Sequence, residues 1–157
     1  MNSAKTLKEL QRILEETKSV FQRVRETEEK LQDHLVKGEA LEIQELEPVR
    51  LELQQEAERL KEERESLLPE GYTTRSLIGE HAYNEDRETF LSLLDGIDDL
   101  VYQVKAHQEV NRSLLQERLR FVREMREVLL PGEKTYDTSG QVSYRGENKN
   151  FNLDQSC

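Results

Sequence analysis

Residues 85–130 read EDRETFLSLLDGIDDLVYQVKAHQEVNRSLLQERLRFVREMREVLL, with no proline until Pro131. Apolar residues recur in steps of three and four along one stripe: Phe90, Leu94, Ile97, Val101, Val104, then Leu115, Val122, Met125 and Leu129. That spacing belongs to an amphipathic helix. A second stripe returns every seventh residue at Leu93, Leu100, His107, Leu114, Phe121 and Val128. Two adjacent stripes give a face wide enough for two neighbours. Gln108, Asn111 and Arg118 interrupt the first stripe near its middle, where a buried amide can fix register at a cost in stability. Asn84 is placed to cap the segment, Glu85, Asp86 and Glu88 suit its positive end, and Leu130-Pro131-Gly132 stops it. Unbroken, a helix over 85–130 is roughly 69 Å long.

Two shorter helices precede it. Residues 4–37 carry Leu7, Leu10, Leu14, Phe21, Val24, Leu31 and Leu35 as a heptad stripe, with polar lapses at Thr17 and Glu28. Either Ser3 or the box Thr6 to Glu9 starts this helix, and Lys37-Gly38 closes it. Residues 39–68 place Leu41, Leu46, Val49, Leu53, Ala57, Leu60 and Leu67 on one face. Pro48 removes a backbone donor there and predicts a kink or a late start. Leu68-Pro69-Glu70-Gly71 ends the helix, and the connector 69–84 holds a short capped turn from Thr73 to Gly79.

Composition agrees with such a fold. Charged residues make up 36% and hydrophobic ones 34%, with no Trp. That is too little apolar material for a thick core but enough for helices that each bury one stripe. The expected fold is all-α: an elongated antiparallel three-helix bundle or coiled coil with a long C-terminal helix and a disordered tail. A helical domain over 1–132 is followed by a flexible partner-binding tail over 133–157. The tail has no helical period and three isolated aromatics, Tyr136, Tyr144 and Phe151. The third helix is longer than its partners, so part of its apolar face should project beyond them. The apolar positions at that end are Leu115, Leu119, Val122, Met125 and Leu129. Either they pack on the hairpin or on a second copy, or they hold another protein's amphipathic helix.

Charge and chemistry narrow the function. The net charge of −10 opposes nucleic-acid binding. Residues 39–70 hold 11 acids against 4 bases, whereas 112–126 hold Arg112, Arg118, Arg120, Arg123 and Arg126 against Glu117 and Glu124. The two stretches either pair with each other, or the second is a basic patch for an acidic partner. The one cysteine is Cys157. No apolar run follows the first residues and none approaches a membrane span, so a cytoplasmic protein without membrane insertion is expected. His34, His81 and His107 fall in separate segments with no metal-ligand spacing. Adjacent acids such as Asp98-Asp99 point apart on a helix. Neither an enzyme nor a cofactor is indicated; the expectation is protein binding by a monomer or weak dimer.

Three stretches carry a resemblance: Gln108-Glu109-Val110-Asn111-Arg112-Ser113-Leu114-Leu115, then Val128-Leu129-Leu130-Pro131, then Thr135-Tyr136-Asp137-Thr138-Ser139-Gly140-Gln141-Val142-Ser143, followed by Tyr144-Arg145-Gly146. The sequence resembles the FlgN family, cytoplasmic chaperones of hook-associated proteins in flagellar type III export. The resemblance implies binding of the C-terminal helical segment of the hook–filament junction proteins FlgK and FlgL. It also implies delivery to the export gate, the cytoplasmic domain of FlhA, with Tyr136 as the gate-binding tyrosine and Tyr144 as the weaker candidate. The competing expectation is a coiled-coil scaffold or homodimerising adaptor; Gly38, Pro48 and the connector interrupt the seam it needs.

Overall fold

The computed structural model describes residues 3–130 and the backbone of residues 134–136 and 142–144. Four helices come first: α1 (Ser3–Lys37), α2 (Ala40–Leu67), α3 (Thr74–His81) and α4 (Asn84–Leu129). Two short strands follow, β1 (Lys134–Tyr136) and β2 (Val142–Tyr144). The chain divides into two compact units, Met1–Arg112 and Ser113–Cys157, and the division falls within α4.

The first unit is built on a tight helical hairpin. Gly38 takes a φ of 79°, which a Cβ would oppose. The His34 carbonyl accepts from the N–H groups of both Gly38 and Glu39, at 2.9 and 3.0 Å. The chain therefore reverses within two residues and α2 starts at once. No late start occurs: α2 runs from Ala40 across Pro48. Pro48 and Gln44 are both exposed, so water can serve the Gln44 carbonyl that loses its helical donor. Helix α1 begins at Ser3, which leaves Thr6 inside the first turns.

Helix α1 is shared by two apolar clusters. Leu10 and Leu14 pack with Leu77 and Ile78 of α3 and with Phe90, Leu94 and Ile97 of α4. Ile13 and Val20 pack with Leu53 and Leu60 of α2. The second set lies outside the heptad stripe read from the sequence, although Ile13, Val20 and Thr27 repeat every seventh residue. Across the hairpin Arg12 reaches Glu63 at 3.0 Å while also pairing with Glu9 and Glu16. Its hydrogen bonds hold the Glu9 and Glu63 carboxyls below their ordinary range. All these groups are largely wet, so their contribution to stability is small.

The connector orders itself locally. The Thr73 hydroxyl accepts from the Ser76 N–H, and Ser76 answers by accepting from the Thr73 N–H, a reciprocal cap for α3. The helix passes Gly79 and ends at His81, two residues later than the sequence predicts. Arg75 ties it to α4 through Asp98 at 2.8 Å. Asn84 then opens α4 with a φ of 50°, a left-handed value that Asn tolerates better than most residues.

One buried polar junction joins the three long helices. Glu28 of α1 and Asn111 of α4 are each only 2% exposed. The Asn111 side-chain amide donates to the Glu28 backbone carbonyl at 3.0 Å and to its Oε2 at 2.9 Å. Arg50 of α2 donates to the other carboxylate oxygen at 3.0 Å. Partial burial works against the Arg50 charge, but Glu28 and then Glu47 hold the guanidinium above its ordinary range. A polar break in the α1 stripe, Glu28, thus meets one in the α4 stripe, Asn111. A slip of α4 by one turn would leave Glu28 Oε2 buried without that donor, so the junction penalises wrong register.

In the second unit Lys134–Tyr136 pairs antiparallel with Val142–Tyr144, Tyr136 opposite Val142 and Tyr144 opposite Lys134. No regular structure is expected there from the sequence; the backbone pairing is the difference, and two such short strands are marginal on their own in water. The rest of the expected disordered tail lies outside the described residues.

Replacing Asn111 with Ala should lower the unfolding free energy by about 1–3 kcal/mol, the cost of leaving a buried acceptor unmade. Urea unfolding followed by far-UV dichroism measures it. A change under about 0.5 kcal/mol would mean that the junction carries no more than an ordinary surface contact.

Candidate functional site

The C-terminal part of α4 is made of Leu, Gln, Glu, Arg and Met with few β-branched residues, so its helicity rests on propensity. Burial gives it little. Leu115, Leu119, Val122, Met125 and Leu129 are 36, 55, 58, 41 and 69% exposed, whereas Val104, three turns earlier in α4, is 5% exposed. At 3.6 residues per turn the five side chains fall within an arc of roughly 120°. They form one apolar strip along the helix, with Arg118 and Arg126 set within its arc. Phe121, Val128 and Leu130 are exposed beside it. Phe121 and Val128 belong to the second seven-residue stripe, a signal the sequence already carries. Little of this segment's helicity is supported by tertiary packing, the main source of helix stability in proteins. The strip is therefore a surface that gains by being covered.

Tyr136 and Tyr144 have their backbones in β1 and β2. They belong to the same unit as the strip, and their side chains lie outside the described residues.

The first unit offers a second concave surface that sequence reasoning missed. It is a groove of about 510 Å³ lined from α1, α2 and α4, with Phe21, Val24, Leu53, Ala57, Val101 and Val104 as its apolar part. It depends on how far apart two helices stand, which no local pattern encodes. A smaller cleft of about 340 Å³ lies between the start of α1 and the connector, lined by Leu7, Pro69, Tyr72, Leu77 and His81.

Glu28, Glu47, Arg50 and Lys105 line the groove as well, and there Arg50 pairs with Glu28 at 3.0 Å and with Glu47 at 2.9 Å. His107 is half-buried with Nδ1 3.0 Å from Gln32 Oε1, and His34 is half-buried 3.6 Å from Glu39. Among the described residues, no three His, Cys, Asp or Glu side chains are placed to hold a metal ion. No helix among them is long and apolar enough to cross a membrane. What the arrangement presents is apolar area on a helix, the chemistry of protein recognition.

The family model of the FlgN protein matches residues 1–143. The chain belongs to the FlgN family. It is thereby a flagellar export chaperone, a protein of flagellum biogenesis. No curated protein and no solved structure matches it. The FlgN match takes in the whole exposed strip and Tyr136, and stops one residue short of Tyr144.

Leu119→Glu should leave the helical far-UV signal unchanged and shift unfolding by no more than about 0.5 kcal/mol, as for an exposed site. Leu14→Glu, on a fully buried side chain, should unfold the protein. A collapse of the helical signal in Leu119→Glu would make the strip core.

Proposed function

We propose that this chain is a cytoplasmic export chaperone that binds the C-terminal helical segment of the hook–filament junction proteins FlgK and FlgL. It keeps that segment from assembling prematurely and delivers it to the cytoplasmic domain of FlhA, the flagellar export gate. The observation that carries the reading is the exposed apolar strip Leu115, Leu119, Val122, Met125 and Leu129 on a helix of an FlgN-family chain. A client helix that is apolar on its assembly face has its aggregation-prone side covered when it lies along such a strip. The client must later leave, and a partner helix laid on one open face is easier to release than one enclosed on all sides.

Tyr136 is the gate-binding candidate and Tyr144 the weaker one. Tyr gives a large contact area at small entropic cost, since only two χ angles are fixed. Tyr136 lies within the span that matches the family, and Tyr144 lies beyond it.

Calorimetric titration with the C-terminal segment of FlgK or FlgL tests the client site. Val122→Glu or Leu119→Glu should weaken binding at least tenfold while the fold is retained; unchanged affinity in both would take the client off this strip. Tyr136→Ala should leave client binding intact and lower the affinity of the chaperone–client complex for the FlhA cytoplasmic domain by about 1–3 kcal/mol, the usual loss for an aromatic anchor. Tyr144→Ala should do less. Equal gate affinity of wild type and Tyr136→Ala would remove the anchor role.

A further inference from the structure

The charges beside the strip are sorted. Residues 113–130 hold Arg118, Arg120, Arg123 and Arg126 against Glu117, Glu124 and Glu127. On a helix of 3.6 residues per turn, all three acids fall on the side opposite the apolar arc. Arg120 lies among them, 3.9 Å from Glu124. Arg118 and Arg126 fall inside the arc, between the leucines, and Arg123 falls at its edge next to Leu119. Arg118 and Arg126 also engage other groups, so part of their charge is shared. Their position still makes the face both apolar and cationic, with their stems adding to its apolar area.

We infer that the occupant of this face is an amphipathic helix whose polar flanks are acidic. The inference rests on the strip being a docking surface, as proposed above, and adds the chemistry of what docks. Glu or Asp bordering the partner's apolar stripe would meet Arg118 and Arg126, each just inside one edge of the arc, and Arg123, just outside, in charge-assisted hydrogen bonds. Lys or Arg there would face like charge beside a surface losing its water. A basic amphipathic face also fits an anionic bilayer. A bilayer, however, spans the whole protein, whose net charge is −10. A single helix, about 10 Å across, samples the local charge within one Debye length.

That contrast fixes the sign of the test. The chain as a whole repels anions, so a preference for an acidic helix can arise only locally. Two synthetic helical peptides with the same leucine stripe, one flanked by Glu and one by Lys, are titrated against the full chain by fluorescence anisotropy. The acidic peptide should bind about tenfold tighter, as expected from three partly desolvated pairs, and 0.5 M NaCl should shrink the ratio. Arg118→Gln, Arg123→Gln and Arg126→Gln together should erase the preference while the helical signal persists. Equal binding, or tighter binding of the Lys peptide, overturns the inference. So does tighter binding to phosphatidylserine vesicles than to the acidic peptide, or a self-dimer in sedimentation that Leu119→Glu dissolves. If the FlgK or FlgL segment binds the strip with no dependence on salt or on the arginines, this inference fails and the chaperone reading stands. If neither peptide nor that segment binds, both fail.

Discussion

The hydrogen bonds from Asn111 to Glu28, completed by Arg50, set the frame on which the rest of the first unit depends. Apolar helix faces slide over one another at small cost, since one leucine replaces another every turn. A buried carboxylate does not slide, because its oxygens need donors at fixed places. With α1 fixed to α4 at Asn111 and to α2 at Arg50, the leucines above and below have one arrangement to fill. The junction is close to the end of the first unit, at Arg112. Before it, α4 buries Phe90, Leu94, Ile97, Leu100 and Val104; after it, the large apolar residues from Leu115 onward are exposed.

Much of this was legible. Helix boundaries followed from Gly38, the stop at Leu68 to Gly71, Asn84 and Pro131, because these residues act on the backbone next to them. Glu28 and Asn111 could each be seen as a break in an apolar stripe. That the breaks meet could not be seen, because 83 residues separate them and only the packed helices bring them together. Pro48 does not delay the start of α2, because its local cost falls on an exposed helix face where solvent can serve the freed carbonyl. The role of α1 between two clusters was available in the spacing of Ile13 and Val20, but the stronger Leu stripe masked it. The exposed strip at Leu115 to Leu129 was readable from helix length. The groove between α2 and α4 was not, since interhelical distance leaves no trace in local pattern.

An apolar strip on an otherwise strongly charged helix resolves a conflict inherent in carrying. A carrier must hide a sticky partner and yet stay soluble without it. Here the charged residues do the second task. Arginines lie within and beside the strip, and the acids fill the opposite side, so the uncovered helix remains wet.

The tight turn at Gly38 has a consequence for how the chain acquires its shape. It joins two helices that touch along their length through a connection of two residues, so their contacts cost little loop closure. During synthesis this hairpin can close while α4 is still within the ribosome. The Glu28–Arg50 pair lies wholly within that hairpin, whereas the bond from Asn111 needs a residue 83 positions further on.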